Sequence, residues 1–399
     1  MKFGTKGDDR NTVSTQLMKK KRKYAKRRRS PTITGTLPAL PFDLVAEIFC
    51  RLPVKLLLQL QCLGKLWKSL ISDPKFTKKH LQFSKVFQHN HHLIAYTTGV
   101  IDKLILKDST IPSIFKAAMS TSRIRLTKLW PPDILDRESI NLMRVCSCDG
   151  ILCLTHEGYF FGHSAVLWNP SIRRFNMLPA LGNPGKKVRG STKYSFGYDY
   201  FTHTYKIVAV SFFYDKSYEV LVYTLGTDSW RRIQDLPYYG YISEPGVFAR
   251  GTINWLAHES SSSHNIVSLD LEKESYQKLL KPNLETNSWT LRALMDRLYI
   301  IASFKTFVDI WIMKDYDNEE PWNKLYRVPY MQVHGLYPND GPLYITEDDQ
   351  VLIYYKHWEE LMVTVYDSKS GTFNMSARQK INGFYSPAVY VESLISPCS

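Results

Sequence analysis

A chain of 399 residues with 44% hydrophobic and 22% charged side chains has the length of two domains and enough apolar mass for sizeable cores. Its 6 cysteines are too few for a disulfide scaffold, no N-terminal signal peptide is visible, and no apolar run nears the roughly 18 residues that span a bilayer. These features predict a soluble, intracellular protein with reduced thiols and no membrane partner.

The formal net charge of +15 is concentrated at the start, where residues 1–40 hold 12 Lys/Arg against 2 Asp. Lys19, Lys20, Lys21, Arg22, Lys23, Lys26, Arg27, Arg28 and Arg29 fall within "KKKRKYAKRRR". Like charges this dense repel one another, so residues 1–37 are expected to be a disordered basic tail and linker. Such a run is a candidate nuclear-import signal, which predicts a protein of the nucleus and cytoplasm. A solvated tail without a role is the plainer alternative, and specific nucleic-acid binding is not expected.

Residues 41–73, "PFDLVAEIFCRLPVKLLLQLQCLGKLWKSLISD", carry apolar side chains at helical spacing. Leu44, Ile48 and Leu52 repeat every four residues, with Val45 and Phe49 as a second stripe. After Pro53 come Leu56, Leu57, Leu58, Leu60, Leu63, Leu66, Trp67, Leu70 and Ile71. Three short helices cover only one side of so much apolar surface themselves, so something else must cover the other. Asp43 is placed to cap the first helix, and Pro53 ends it and opens the next. "SDPKF", residues 72–76, repeats that punctuation before a last short helix through His80 and Leu81.

From about residue 90 the texture changes to short runs rich in Val, Ile, Tyr, Phe and Trp, and no further amphipathic helix is predicted. Five of these runs repeat one plan: an alternating strand, a polar turn, then a strand opening on an aromatic. Trp168, Tyr223, Leu269, Trp311 and Tyr366 mark the first strand of each, and Phe175, Trp230, Tyr276, Trp322 and Phe373 the second. With the strand pairs that precede them, this gives about four strands every 40–55 residues, the signature of propeller blades. A sixth blade would join "HHLIAYTTGVIDKLIL", near residue 91, to "SPAVYVESLI" at the C-terminus and so hide the edge strands. A β-sandwich also uses many short strands; the repeat favours the propeller.

Reactive residues offer little chemistry. "HNHH", residues 89–92, with His80 nearby, fits no zinc-finger or His-x-x-x-His spacing, and adjacent histidines in a polar connector read as solvated. Cys146, Cys148 and Cys153 read as buried β-core residues. The pairs Glu319/Glu320, Asp348/Asp349 and Glu359/Glu360 sit in turns, and neighbours on a strand would point to opposite faces. No phosphate loop or nucleophile elbow occurs, so no catalytic residue, metal or cofactor is expected.

"LPFDLVAEIFCRLPVKLLLQLQCLGKLWKSLISDPKF" resembles the F-box, the helical module by which substrate receptors dock on the Skp-type adaptor of cullin–RING ubiquitin ligases. The resemblance assigns docking to Leu40, Pro41, Leu44, Ile48, Leu52, Pro53, Leu57, Cys62 and Trp67 within a module over 38–84. Two positions depart from the pattern: Gly64 stands where a cysteine is frequent and Leu66 where a serine is. In a helix, Gly64 would cost about 1 kcal/mol. "LWNPSIRRFNMLP", "FGYDYFTHTYKIVAV", "GTINWLA" and "YVESLISP", in order, resemble the F-box-associated domain of plant F-box families, here over 90–397. The implied fold is mainly β with a small N-terminal α module: a three-helix F-box followed by a six-bladed, kelch-like β-propeller. The implied function is that of a non-catalytic substrate receptor. Its partners would be the Skp-type adaptor, through it cullin and RING subunits, and an unidentified protein substrate. A propeller enzyme or a carbohydrate or small-molecule binder, with a merely structural helical segment, is the alternative.

Overall fold

The computed structural model describes residues 41–98, 104–120, 122–130, 143–157, 163–181, 189–214, 217–237, 241–242, 244–258, 264–286, 288–314, 321–330, 342–357, 360–380 and 387–398. Leu40, the basic run from Lys19 to Arg29, Glu319/Glu320 and Glu359 lie outside them. The chain divides into two compact units, Met1–Val45 and Ala46–Ser399. Among the described residues no helix is long and apolar enough to cross a membrane.

Four helices open the described chain: α1 Phe42–Phe49, α2 Val54–Gln61, α3 Lys65–Ile71 and α4 Pro74–Val86. Asp43 does not cap α1, because the helix has already begun at Phe42; the Pro41 carbonyl accepts from the N–H groups of Leu44 and Val45 at 3.0 and 3.2 Å. Asp43 instead places its charge in the first turn, where the helix dipole favours it. At α4 the expected punctuation is present: the Asp73 carboxylate accepts from Lys75 and Phe76 N–H at 2.7 and 3.2 Å, with Pro74 in the first turn. Gly64 precedes α3 in an extended conformation, φ 170°, and a Cβ there would meet nothing within 4 Å. The expected helix-interior cost therefore does not arise.

The strand region forms six antiparallel sheets, ordered here from inner to outer strand. Blade one is Ala388–Val391, His91–Thr98, Leu104–Thr110 and Thr127–Leu129; blade two is Met143–Cys148, Ile151–Glu157, His163–Asn169 and Arg174–Met177. Blade three is Arg189–Asp199, Thr204–Phe213, Tyr218–Thr224 and Arg231–Arg232. In blade four the inner strand is broken into Tyr241–Ile242 and Val247–Ala249, followed by Thr252–His258, His264–Asp270 and Tyr276–Leu279. Blade five is Trp289–Leu294, Arg297–Ser303, Phe307–Met313 and Trp322–Pro329; blade six is Pro342–Ile345, Gln350–His357, Glu360–Asp367 and Thr372–Lys380.

Core packing separates a propeller from a sandwich. Each apolar cluster of the strand region is shared by two consecutive sheets: Ile94 with Leu152, Leu167 with Ile207, Val222 with Trp255, Ile266 with Leu291, Ile310 with Ile353. A sixth cluster puts Leu93 of blade one with Leu352 of blade six. Cores that run round a ring and return to the start describe a six-bladed β-propeller. It closes as the sequence predicts, with Leu93 opposite Val389 and His91 opposite Val391. Pairing the two ends of the chain hides two strand edges.

The repeat markers are mostly, not wholly, equivalent. Trp168, Leu269 and Tyr366 stand opposite Phe175, Tyr276 and Phe373 in the third-to-fourth-strand pairing. Trp311 does not hold this place: eleven residues separate it from Trp322 where seven separate the other pairs, so Met313 stands opposite Trp322, and a bulge between Ile310 and Trp311 shifts the register by one residue. A helix the sequence reading did not predict, α5 Ile111–Met119, lies between the third and fourth strands of blade one. Thr110 caps it through the Ser113 N–H at 3.4 Å, and Ile111, Ile114, Phe115 and Ala118 bury the stripe that wedges blade one against blade six. That i, i+3, i+4, i+7 spacing is present in the sequence, but over nine residues it is too short to stand out among the surrounding strand runs.

Candidate functional site

Ala46–Ser399 supplies its own answer to what covers the second apolar face of the helices. Cys50, Val54, Leu57, Ile71 and Phe76 are buried together with Leu394 of the C-terminal segment, and Ile172 from a turn of blade two packs at the margin. Burying six such side chains contributes on the order of 10 kcal/mol before entropy is counted. The helices therefore rest on the propeller.

Polar ties fix the same junction. Pro53 precedes α2 without a side-chain cap; the Glu392 carboxylate, just past the ring-closing strand, accepts from Val54 N–H at 3.2 Å. A carboxylate at a helix N-terminus satisfies an orphan donor and meets the positive end of the dipole. His92 sits behind it, with Nδ1 2.7 Å from Asp108 Oδ2 and Nε2 3.5 Å from Glu392 Oε1, and the Tyr390 hydroxyl donates to the same Asp108 oxygen at 3.1 Å. Burial alone would push His92 down; its bonds to Asp108 and Glu392, reinforced by their charges, outweigh this and raise it to about 9. Burial works against the Glu392 carboxylate too, and the His92 contact holds it below the usual range.

Of the histidines read as solvated, His89 is exposed but His91 and His92 are inside. His80, His91 and His92 are all buried, and burial pushes His80 and His91 below the usual imidazole range. His80 Nε2 is 2.9 Å from Leu52 O, and His91 Nε2 is 3.0 Å from Ser84 O. The tertiary fold supplies these partners, so a polar stretch in sequence became a sheet interior.

What the helices leave open is the candidate site. In Ala46–Ser399, Ile48, Leu56, Leu63 and Leu66 are 49%, 44%, 73% and 58% exposed, and in the first unit Leu44 is 51% exposed. Isolated surface aliphatics need no explanation, but four within 19 residues do. Of the residues assigned to docking by resemblance, Pro41, Leu44, Ile48 and Cys62 are exposed, while Leu52, Pro53 and Trp67 are half-buried. Trp67 packs on Phe49 with ring centroids 5.3 Å apart. Leu57 is corrected: at 0% exposure its side chain belongs to the core beneath the helices and reaches no surface. Leu56, Leu63 and Leu66 were missed as surface positions. Helix phase could have found Leu56, since Val54 and Leu57 already claim the inner face of α2.

The second candidate is a central cavity of about 470 Å³ lined by the inner strands of all six blades. The carboxylates at its wall are engaged. Asp149 binds Lys85 Nζ at 2.6 Å and accepts from the Tyr205 hydroxyl at 3.0 Å; Asp296 accepts from Arg250 N–H at 2.6 Å and from the Tyr200 hydroxyl at 3.3 Å. Burial, then the Asp149 charge, pushes the Tyr205 hydroxyl far up, so it stays a donor. Cys148 and Cys153, as expected, are buried, and burial raises both thiols, which removes them as nucleophiles. Among the described residues no group of His, Cys, Asp or Glu is arranged to hold a metal ion.

Comparison with known proteins agrees with this anatomy. Residues 102–397 match the F-box associated beta propeller domain, and residues 37–79 match the F-box domain. An F-box/kelch-repeat protein of Arabidopsis thaliana is 28% identical over 90% of this chain and 96% of its own length. The F-box protein CPR1 of the same plant is 25% identical over 91% and 90%. Among solved structures, TolB from Acinetobacter baumannii reaches a TM-score of 0.47 at 9% identity, over 80% of this chain and 73% of that one, which carries no further argument.

Proposed function

The chain belongs to the plant F-box proteins that carry an F-box associated β-propeller domain, and from that membership we propose that it is the substrate-recognition subunit of a Skp–cullin–F-box ubiquitin ligase. The F-box docks on the Skp-type adaptor, which links it to cullin and RING subunits. The propeller captures a target protein for ubiquitination by those subunits, and the chain itself catalyses nothing. One observation carries this reading: the helices of Ala46–Ser399 bury one apolar face with Leu394 yet leave Ile48, Leu56, Leu63 and Leu66 exposed. Exposed aliphatics on a helical unit are what a protein interface uses as anchors. The clasp from Val54 to Glu392 supports it as well, because a receptor must hold its target in a set position relative to the ligase.

The test is adaptor binding by the full chain carrying Leu40→Ala and Pro41→Ala. Removing interface anchors costs at least about 2 kcal/mol, or roughly thirtyfold in affinity. The variant should lose adaptor binding in a pull-down with unchanged thermal stability, and in cells the captured target should accumulate. Parental affinity for the adaptor would show that this helical unit is not the dock.

A further inference from the structure

The outer edge of blade one carries a surface that adaptor docking does not use. Between the end of α5 and the edge strand Thr127–Leu129 lies an open cleft of about 560 Å³ lined by Lys107, Ser122, Arg123, Ile124, Arg125 and Leu126. Its floor is apolar: Ile124 is buried and Leu126 packs on the same cluster as α5. Its walls are cationic, for Arg123 and Arg125 are exposed and Lys107 is half-exposed. Lys128 continues the row, with its ammonium 4.2 Å from the centroid of the exposed Trp130 ring.

The arrangement opposes stability. Lys107 and Lys128 stand directly opposite one another across the strands, where like charges repel. The nearest carboxylate on the strand, Asp108, points to the other face and is taken up by His92 and Tyr390. Among the described residues no carboxylate pairs with Lys107, Arg123, Arg125 or Lys128. Four unneutralised cations around an apolar floor suit an anionic ligand better than the folded chain alone. Among the described residues the neighbouring strand is the outermost of its sheet and no described strand pairs with its outward backbone groups, the edge an extended segment would join.

We propose that this cleft captures an extended, anionic peptide segment of the target protein, its phosphate or carboxylate groups meeting Lys107, Arg123, Arg125 and Lys128. The inference rests on reading the propeller as the target-capturing domain. Charge-assisted hydrogen bonds from the two guanidinium groups give orientation, and the edge strand pairs with the segment's backbone.

Fluorescence anisotropy on the full chain, at near-physiological salt, tests it with four labelled probes: hexaglutamate, a hexamer alternating phosphoserine and glutamate, hexaglutamine, and a single-stranded RNA 12-mer. At least one anionic peptide should bind and hexaglutamine should not; the ratio of the two anionic peptides tells phosphate from carboxylate as the preferred group. The variant Lys107→Glu/Arg123→Glu/Arg125→Glu should weaken that binding at least about tenfold. If it does not fold, Arg123→Gln/Arg125→Gln, which alters two exposed side chains only, should still weaken it several-fold. Unchanged affinity in the folded variant, or RNA binding tighter than both peptides, overturns the proposal. Asp133, Asp136 and Glu138 follow in the sequence, so the titration is repeated with Asp133→Asn/Asp136→Asn/Glu138→Gln; no peptide binding in either background overturns it too. The Leu40→Ala/Pro41→Ala chain separates the two readings. Peptide binding with adaptor binding lost upholds both; peptide binding with parental adaptor affinity leaves the cleft standing and sinks the dock; loss of adaptor binding with no peptide binding sinks the cleft alone.

Discussion

Replacing His92 with Gln should lower the thermal unfolding midpoint by roughly 5–10 °C at pH 6.5, and by much less at pH 9.5. The imidazolium lies between the buried carboxylates of Asp108 and Glu392, and removing it leaves two negative charges in a sheet interior without their counter-charge. Breaking a buried ion pair from one side costs about 3–5 kcal/mol. Because His92 titrates near 9 in the folded chain and near about 6.5 when unfolded, its contribution is fully present below 6.5. It is lost as pH rises through 9. His80 and His91 have the opposite sign: their lowered values make the fold weaken as pH falls through the usual imidazole range. The quantity to measure is therefore the difference in midpoint between parent and His92→Gln across pH 6 to 9.5, in which the other histidines cancel. A difference that does not shrink toward alkaline pH would mean that His92 is not charged in the clasp. The same variant should loosen the helical unit, since Glu392 also caps α2.

Gly150→Ala should cost about 2–5 kcal/mol, a large effect for one methyl group. Asp149 and Gly150 form the two-residue turn between the inner and second strands of blade two, with φ of 52° and 82°. Gly150 adopts the left-handed region freely, whereas alanine is strained there. The larger part is spatial: a Cβ would fall 2.6 Å from the Val391 carbonyl oxygen and 2.4 Å from Ser393 Oγ. Those atoms belong to the strand that closes the ring and to the segment that carries Glu392 and Leu394. Ser393 O and Oγ also accept from the Asn169 amide at 3.0 and 3.1 Å, so the segment has little room to move. Gly226 is the control, with φ of 92° and open space around it. Gly226→Ala should show the backbone cost alone, about 1–2 kcal/mol. Limited proteolysis should then cut near the C-terminus of Gly150→Ala and spare Gly226→Ala. Equal stability of the two variants would show that the C-terminal segment does not press on that turn.

The sequence by itself determined the strand plan of the blades and how the ring closes, though not the helix Ile111–Met119. Alternating strands, Asp-Gly and Arg-Gly turns and the recurrent aromatic opening of the fourth strand are local signals, readable because side-chain period and turn chemistry act over a few residues. The matching strand textures near His91 and Ala388 placed the closure for the same reason. Tertiary structure alone decided the rest. Leu56 and Leu57 are equal in hydropathy, and only packing against Leu394 sends one to the core and leaves the other exposed. "HNHH" is polar by composition, and His89 stays exposed, but His91 and His92 acquire partners from Asp108, Glu392 and the end of α4, 300 residues away in the case of Glu392. The cap of α2 is likewise supplied by Glu392, 338 residues beyond Val54. Burial, charge state and capping are properties of what a residue meets in space, and the chain order of a closed ring does not list those neighbours.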